Sequence, residues 1–217
     1  MSESAGTTVN PHGHGRPSDW IELFLPGVPA GGAVLDIACG AGRHLRRALA
    51  LGHPVVGVDR DVSGLADLAG RGDVEIVAHD LEAAGGLDLP LGGRRFAAVI
   101  VTNYLFRPLL PLLHRLVAAD GILLHETFAR GQERFGKPSN PAFMLAANEL
   151  LAPEILGDLV VVAYEQGELP AELTVTRAPK IVQRLAAVGR HHPWAEARPR
   201  RIGAGGTLSV TSGETIG

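Results

Sequence analysis

Short apolar runs alternate with stretches of helical spacing along most of the chain. Ala33 to Ile37, Pro54 to Val58, Val74 to Ala78, Phe96 to Val101 and Ile122 to Phe128 are each five to seven residues long and rich in Val, Ile, Leu and Ala. Near-continuous runs of this kind suit strands covered on both faces. Between them, helical patterns run from Trp20 to Leu25, Arg43 to Ala50, Val62 to Ala69, Leu105 to Ala118 and Ala142 to Leu151. Ser18-Asp19 offers the first helix an N-cap and Pro26 stops it, while Pro108 and Pro111 bend or start the fourth. Gly85 to Arg95 is rich in turns, Asp120-Gly121 predicts a turn, and Gly131 to Pro141 predicts a loop. Leu159 to Glu165 and Lys180 to Val188 supply two last strands. This alternation predicts an α/β domain: an open parallel sheet with helices on both faces.

The ends of the chain read differently. Residues 1–17 are polar and aperiodic, which predicts a flexible N-terminal arm; the domain is expected over 18–189, followed by an irregular basic and Gly-rich tail at 190–217,. No internal repeat is present.

Composition narrows the functional classes. A chain of 217 residues with 46% hydrophobic and 20% charged residues fits one ordinary globular domain,. Its net charge of −3 does not mark it as a polyanion binder,. One cysteine excludes an internal disulfide framework and a Cys-rich zinc module,. The N-terminus has no signal-peptide core and no apolar run is long enough for a spanning helix, so the expectation is a cytoplasmic protein with no membrane partner. Basic charge is concentrated between Arg177 and Arg201, where seven basic residues face one acidic residue, Glu196. Arginine outnumbers lysine throughout, a bias that a GC-rich genome produces by itself.

In open parallel sheets the ligand sits beyond the carboxyl ends of the strands. That rule selects Asp36 to Gly42, Asp59, Asp80, Thr102 to Tyr104, and His125 to Phe128. Gly40 and Gly42 permit a sharp turn and close backbone approach by a ligand. Asp36 can accept from a ligand ammonium or from loop amides. Asp59 can accept from both ribose hydroxyls of an adenosine ligand, or cap the segment after it. The dinucleotide pattern G-x-G-x-x-G fails, since its third glycine would fall on Leu45. No G-K-[ST] follows the glycines, so a P-loop is excluded.

Val34-Leu35-Asp36-Ile37-Ala38-Cys39-Gly40-Ala41-Gly42-Arg43-His44 resembles motif I of class I S-adenosylmethionine (SAM)-dependent methyltransferases, with Ala38 in place of the first glycine. Val55-Val56-Gly57-Val58-Asp59 and Val77-Ala78-His79-Asp80-Leu81 resemble that family's second and third motifs, and the resemblance covers roughly 18–188,. The run Val101 to Pro108 and the segment Glu126 to Pro141 are similar to compact bacterial members likened to tellurite-resistance-type methyltransferases. The resemblance implies a three-layer Rossmann-like methyltransferase fold with a mostly parallel seven-stranded sheet in the order 3-2-1-4-5-7-6. It implies SAM as cofactor and S-adenosylhomocysteine (SAH) as product. Asp36, Gly40 and Gly42 would hold the methionine end, Asp59 the ribose hydroxyls, and Asp80 and Leu81 the adenine; Ala38, Cys39, Arg60 and Asn103 would also bind the cofactor. Asn103 and Tyr104 would stand where methyl donor meets acceptor. The run Thr102-Asn103-Tyr104-Leu105 lacks the paired prolines of [DN]-P-P-[YFW], which counts against a DNA-adenine type of acceptor.

Methyl transfer from a sulfonium is an in-line displacement with its leaving group built in, so alignment and water exclusion matter most. A general base is required only for an acceptor that must lose a proton early. His125 and Glu126 are the candidates, expected on opposite faces of the sheet. His125 suits a hydrogen-bonded core position better than a catalytic one, while Glu126 can equally serve the pocket or be structural. Tyr104 can form a wall for the acceptor or pack over the sheet edge. His12, His14, His191 and His192 suit solvated positions better than a metal site, and no metal is expected. Arg107, Arg130, Arg134 and Lys137 border the predicted loops and can receive an anion or remain solvated.

The reading is a methyltransferase acting on a small molecule, roofed by segments 11–25 and 129–141. An RNA or protein acceptor, gripped by the basic C-terminal stretch, is the alternative with the same chemistry. A SAM- or nucleotide-binding regulatory protein without turnover is the alternative from another class. The oligomeric state and the acceptor atom are left open by the sequence.

Overall fold

The structure is a computed structural model, and it describes residues 15–174 and 177–196. Seven strands, β1 (Val34–Ile37), β2 (Val55–Asp59), β3 (Val74–Ala78), β4 (Phe96–Thr102), β5 (Val117–Phe128), β6 (Val160–Leu169) and β7 (Lys180–Val188), join in one sheet. Their spatial order is β3-β2-β1-β4-β5-β7-β6, parallel from β3 to β5, with β7 antiparallel to both β5 and β6. This is the order the family resemblance implies. All seven residues of β4 are buried, as its unbroken apolar run requires,. β6 forms one edge and exposes half of its residues.

Four α-helices, α1 (Asp19–Phe24), α2 (Arg43–Ala50), α3 (Leu110–Leu116) and α4 (Pro153–Leu156), cover the two faces. Even-numbered positions of β1, Val34 and Asp36, point toward α1 and α2, with Ile21, Phe24, Leu45 and Trp194 in that core,. Odd positions such as Leu35 and Ile37 point toward α3 and α4, with Leu109, Leu113 and Ile155. Each fully buried Leu or Ile contributes roughly 1.5–3 kcal/mol.

Three predicted helices differ from what forms. Val62 to Ala69 contains a 3-10 segment, Ser63–Leu68, because Gly64 packs where even a Cβ would lie 2.5 Å from that of Ala41. Ala142 to Leu151 holds only two 3-10 turns, Pro141–Phe143 and Glu149–Leu151. There Leu145 donates to the Phe128 carbonyl and accepts from Arg130, pairing beside the sheet as an isolated bridge. The buried Gln183 side chain also takes the Leu150 N–H and the Ala146 carbonyl, groups a helix would have used. The pattern at Leu105 to Ala118 shortens to α3 plus the 3-10 turn Arg107–Leu109. Val117 is already in β5, and the predicted Asp120-Gly121 turn lies within that strand, with Gly121 close against the Phe96 carbonyl. α4 was not evident in the pattern, and β6 runs four residues past the predicted Glu165.

The described part of the tail packs onto the domain. His192 contacts the Gly27 carbonyl at 3.0 Å, and Trp194 meets Phe24 edge-on, with ring centroids 6.0 Å apart. Most of the predicted arm, with His12 and His14, lies outside the described residues. So do Arg198, Arg200, Arg201 and the rest of the tail. Among the described residues no helix is long and apolar enough to cross a membrane.

Candidate functional site

The carboxyl ends of β1 to β5 meet at one edge of the sheet, where the chain turns sharply. Ala38, Gly40 and Gly42 all adopt positive φ, at 55°, 54° and 77°. Ala38 thus takes a backbone conformation that glycine adopts without strain, at the position where the family motif has glycine. The Gly40 N–H donates to Asp59 Oδ2 at 2.8 Å and the Asp61 N–H to Oδ1 at 3.0 Å. Asp59 therefore ties the first turn to the end of β2, and each of its oxygens retains a lone pair for a further donor.

Leu45, at the position of the missing third glycine, has a defined task. It is fully buried, and its Cδ1 lies 2.6 Å from where a Cβ on Gly57 would be. The close approach of α2 to the sheet is thus supplied by a glycine on β2.

A cavity of about 480 Å³ opens beside this turn, lined by Ala38, Asp59 and Arg60, by His79 to Glu82, and by Thr102 to Tyr104. Ala38, Asp59, Arg60, Asp80, Leu81, Asn103 and Tyr104 of the predicted site are brought together here, whereas Asp36, Cys39, Gly40 and Gly42 do not line the cavity. Asn103 has φ 54°, a conformation asparagine tolerates,. Tyr104 stands among Glu82, Asp80 and Arg60, so its ring belongs to the β3 side of the cavity. Burial, then the Glu82 and Asp80 carboxylates, hold its phenol proton well above the ordinary range. Asp80 Oδ1 accepts from the Glu82 N–H at 3.0 Å.

Asp36 lies under the turn and is almost fully buried, and neither of its oxygens has a hydrogen-bond partner. The nearest cationic candidate is His44 Nδ1, 3.7 Å from Oδ2. Since the Ser18 N–H donates to His44 Nε2 at 3.3 Å, the ring proton belongs on Nδ1, facing Asp36 and the Thr102 hydroxyl,. Cys39 turns its thiol inward beneath the loop, and burial together with Asp36 and Asp59 raises its pKa far above that of a reactive thiol,.

The two base candidates occupy opposite faces, as expected from strand alternation. His125 is sealed on the α3 face with both ring nitrogens unpartnered, and burial lowers its pKa to about 4. Glu126 is buried on the α1 face, where it accepts from the Ser18 hydroxyl at 2.8 Å and lies 3.9 Å from Arg184. Neither lines the cavity. Sequence reasoning missed Ser18, Arg43, His44, Glu82, Lys180 and Arg184 as parts of this edge. Arg43 and His44 directly follow the glycine turn, and that adjacency was the available signal. Of the loop cations, Arg107 is paired with Glu149 and serves the loop carbonyls of Ala142 and Met144.

Neither a family model nor a curated relative matches the sequence. Solved structures do match. TehB from Haemophilus influenzae is 19% identical with a TM-score of 0.57, over 79% of this chain and 61% of that one. The chain thus spans less than two thirds of that protein. A TehB-like SAM-dependent methyltransferase from Corynebacterium glutamicum is 19% identical with a TM-score of 0.53, over 79% and 88%. The 1,6-didemethyltoxoflavin-N1-methyltransferase from Burkholderia thailandensis, solved with 1,6-didemethyltoxoflavin and SAH, is 21% identical with a TM-score of 0.54, over 78% and 76%. At these identities the likeness is one of fold: the Rossmann-like class I methyltransferase architecture.

Proposed function

We propose that this protein is a SAM-dependent methyltransferase acting on a small-molecule acceptor. The observation that carries the reading is Asp36, a buried carboxylate beneath a glycine turn whose oxygens accept no hydrogen bond, with His44 Nδ1 no nearer than 3.7 Å. An orphaned buried carboxylate is costly unless a ligand supplies donors, and the ammonium of an amino-acid ligand does so. Asp59 suits ribose hydroxyls, while Asp80 and Leu81 suit an adenine amino group and ring. When bound, SAM would supply an electrophilic methyl carried on a sulfonium.

The chain's own residues then bind and orient. Asp36 holds the amino-acid end, Asp59 the sugar, and Tyr104 closes the β3 side of the cavity. Asn103, at the end of β4, faces the junction of cofactor and acceptor. The neighbours include a small-molecule methyltransferase of similar fold, which supports the acceptor class. The RNA or protein alternative is weakened because two cations of the basic stretch, Lys180 and Arg184, point into the domain.

Isothermal titration with SAM, SAH and NAD tests the reading. Micromolar binding of SAM and SAH is expected, weakened about tenfold or more in Asp59→Ala through loss of charged hydrogen bonds. Binding of NAD alone, or no binding of SAM and SAH, overturns it.

A further inference from the structure

A second group of charges lies on the α1 face of the same edge, and none of them lines the cofactor cavity, which the group meets at Thr102. Alternation and register place Thr102, Glu126, Phe128, Lys180 and Arg184 on that face, and Arg43 reaches it from the start of α2,. Arg184 is accounted for: it pairs with Glu165, lies 3.9 Å from Glu126, and stacks over Trp20 at 4.7 Å.

Arg43 and Lys180 are not accounted for. Among the described residues neither forms an ion pair. The polar contact of Arg43 is the Thr102 hydroxyl at 3.5 Å, and the Lys180 ammonium sits 5.5 Å from the Phe128 ring centroid. Both are half-buried. Burial lowers both pKa values, Glu126 pulls both back up, and Arg43 lowers that of Lys180 further. Two cations therefore share a poorly solvated space and repel one another. Arg43, Lys180 and Arg184 against Glu126 and Glu165 leave one positive charge once Asp36, whose charge also raises the Arg43 pKa, is matched to the ammonium of the cofactor. One excess positive charge matches a monoanion.

We infer that Arg43 and Lys180 receive the carboxylate of the methyl acceptor, and that the acceptor is an organic acid converted to its methyl ester. This inference rests on the methyltransferase reading. That neither base candidate on β5 is free to act agrees with it. Glu126 is engaged by Ser18 and Arg184, and His125 is sealed on the opposite face. A phenol or a protonated amine would have to shed a proton, whereas a carboxylate is already ionised at neutral pH. One carboxylate oxygen donates an electron pair to form the O–CH3 bond while the S–CH3 bond breaks. The departing pair stays on sulfur, the sulfonium becomes a thioether, and no proton moves. The product ester is neutral and loses its attraction to the two cations, which favours release.

The test uses the full chain with SAH bound, so that the anionic end of the cofactor is already present. Benzoate and octanoate are titrated into the complex by calorimetry, beside benzamide as the neutral counterpart. The same acids are then incubated with SAM carrying a tritiated methyl group, and the products are treated with alkali, which releases methanol from methyl esters. Binding of an acid but not of benzamide, with alkali-labile product, is expected. Lys180→Met should weaken acid binding about tenfold and leave SAH affinity unchanged, and Lys180→Arg should restore it. SAH binding without acid binding, alkali-stable product, or an unaffected Lys180→Met variant overturns the acceptor assignment. Failure to bind SAH overturns the methyltransferase reading itself.

Discussion

The Ser18 hydroxyl donates to the Glu126 carboxylate at 2.8 Å, joining the cap of the first helix to the end of the central strand β5. The same oxygen of Ser18 accepts the Trp20 N–H at 3.1 Å, and the Ser18 N–H reaches His44. One small residue thus fastens α1 to α2 and to the sheet beside the candidate site.

Replacing that hydroxyl leaves a buried carboxylate short of a donor. Ser18→Ala is expected to cost about 1–3 kcal/mol, combining a lost cap and a lost charged hydrogen bond. Urea unfolding at neutral pH measures it, and a cost near zero would show that Glu126 finds another donor.

Gly57 predicts a packing effect. A Cβ there would lie 2.6 Å from Leu45 Cδ1 and 3.1 Å from Cys39 Sγ. Gly57→Ala should destabilise by about 1–3 kcal/mol through overpacking. Adding Leu45→Val should recover part of the loss, a non-additivity that a double-mutant cycle detects.

Ala38 predicts the opposite sign. At φ 55° its side chain is strained, so Ala38→Gly should stabilise the fold by roughly 0.5–1 kcal/mol,. Thermal unfolding would show a higher Tm, and a lower one would contradict the strain argument.

His125 predicts a pH dependence. Its folded pKa of about 4 is below the ordinary value of 6.5, so the unfolded state binds the proton more readily,. Its neutral, buried form therefore favours folding fully above about pH 6.5. That advantage is lost as pH falls from there toward 4, by about 3 kcal/mol at most. His125→Leu should flatten stability across that window, and an unchanged pH profile in the variant would refute the assignment.

The sequence by itself determined the layer order and half of the site. Apolar runs of Val, Ile and Leu specify β1, β2, β4 and the second half of β5, because strands covered on both faces admit little else. β3, with no buried residue, was legible from its Val-Ile pattern. The turn from Asp36 to Gly42, and the acids closing β2 and β3, were legible because a parallel sheet places consecutive strand ends at one edge. The segment from Ala142 to Leu151 was not legible as structure. Its helical spacing yields to hydrogen bonds from Phe128, Arg130 and Gln183, partners distant in sequence. Likewise, no local pattern joins Ser18 to Glu126, or Arg184 to Glu126. Tertiary structure decided those pairs, since the register of β5 with β7 sets which side chains share a face and which charges are buried together.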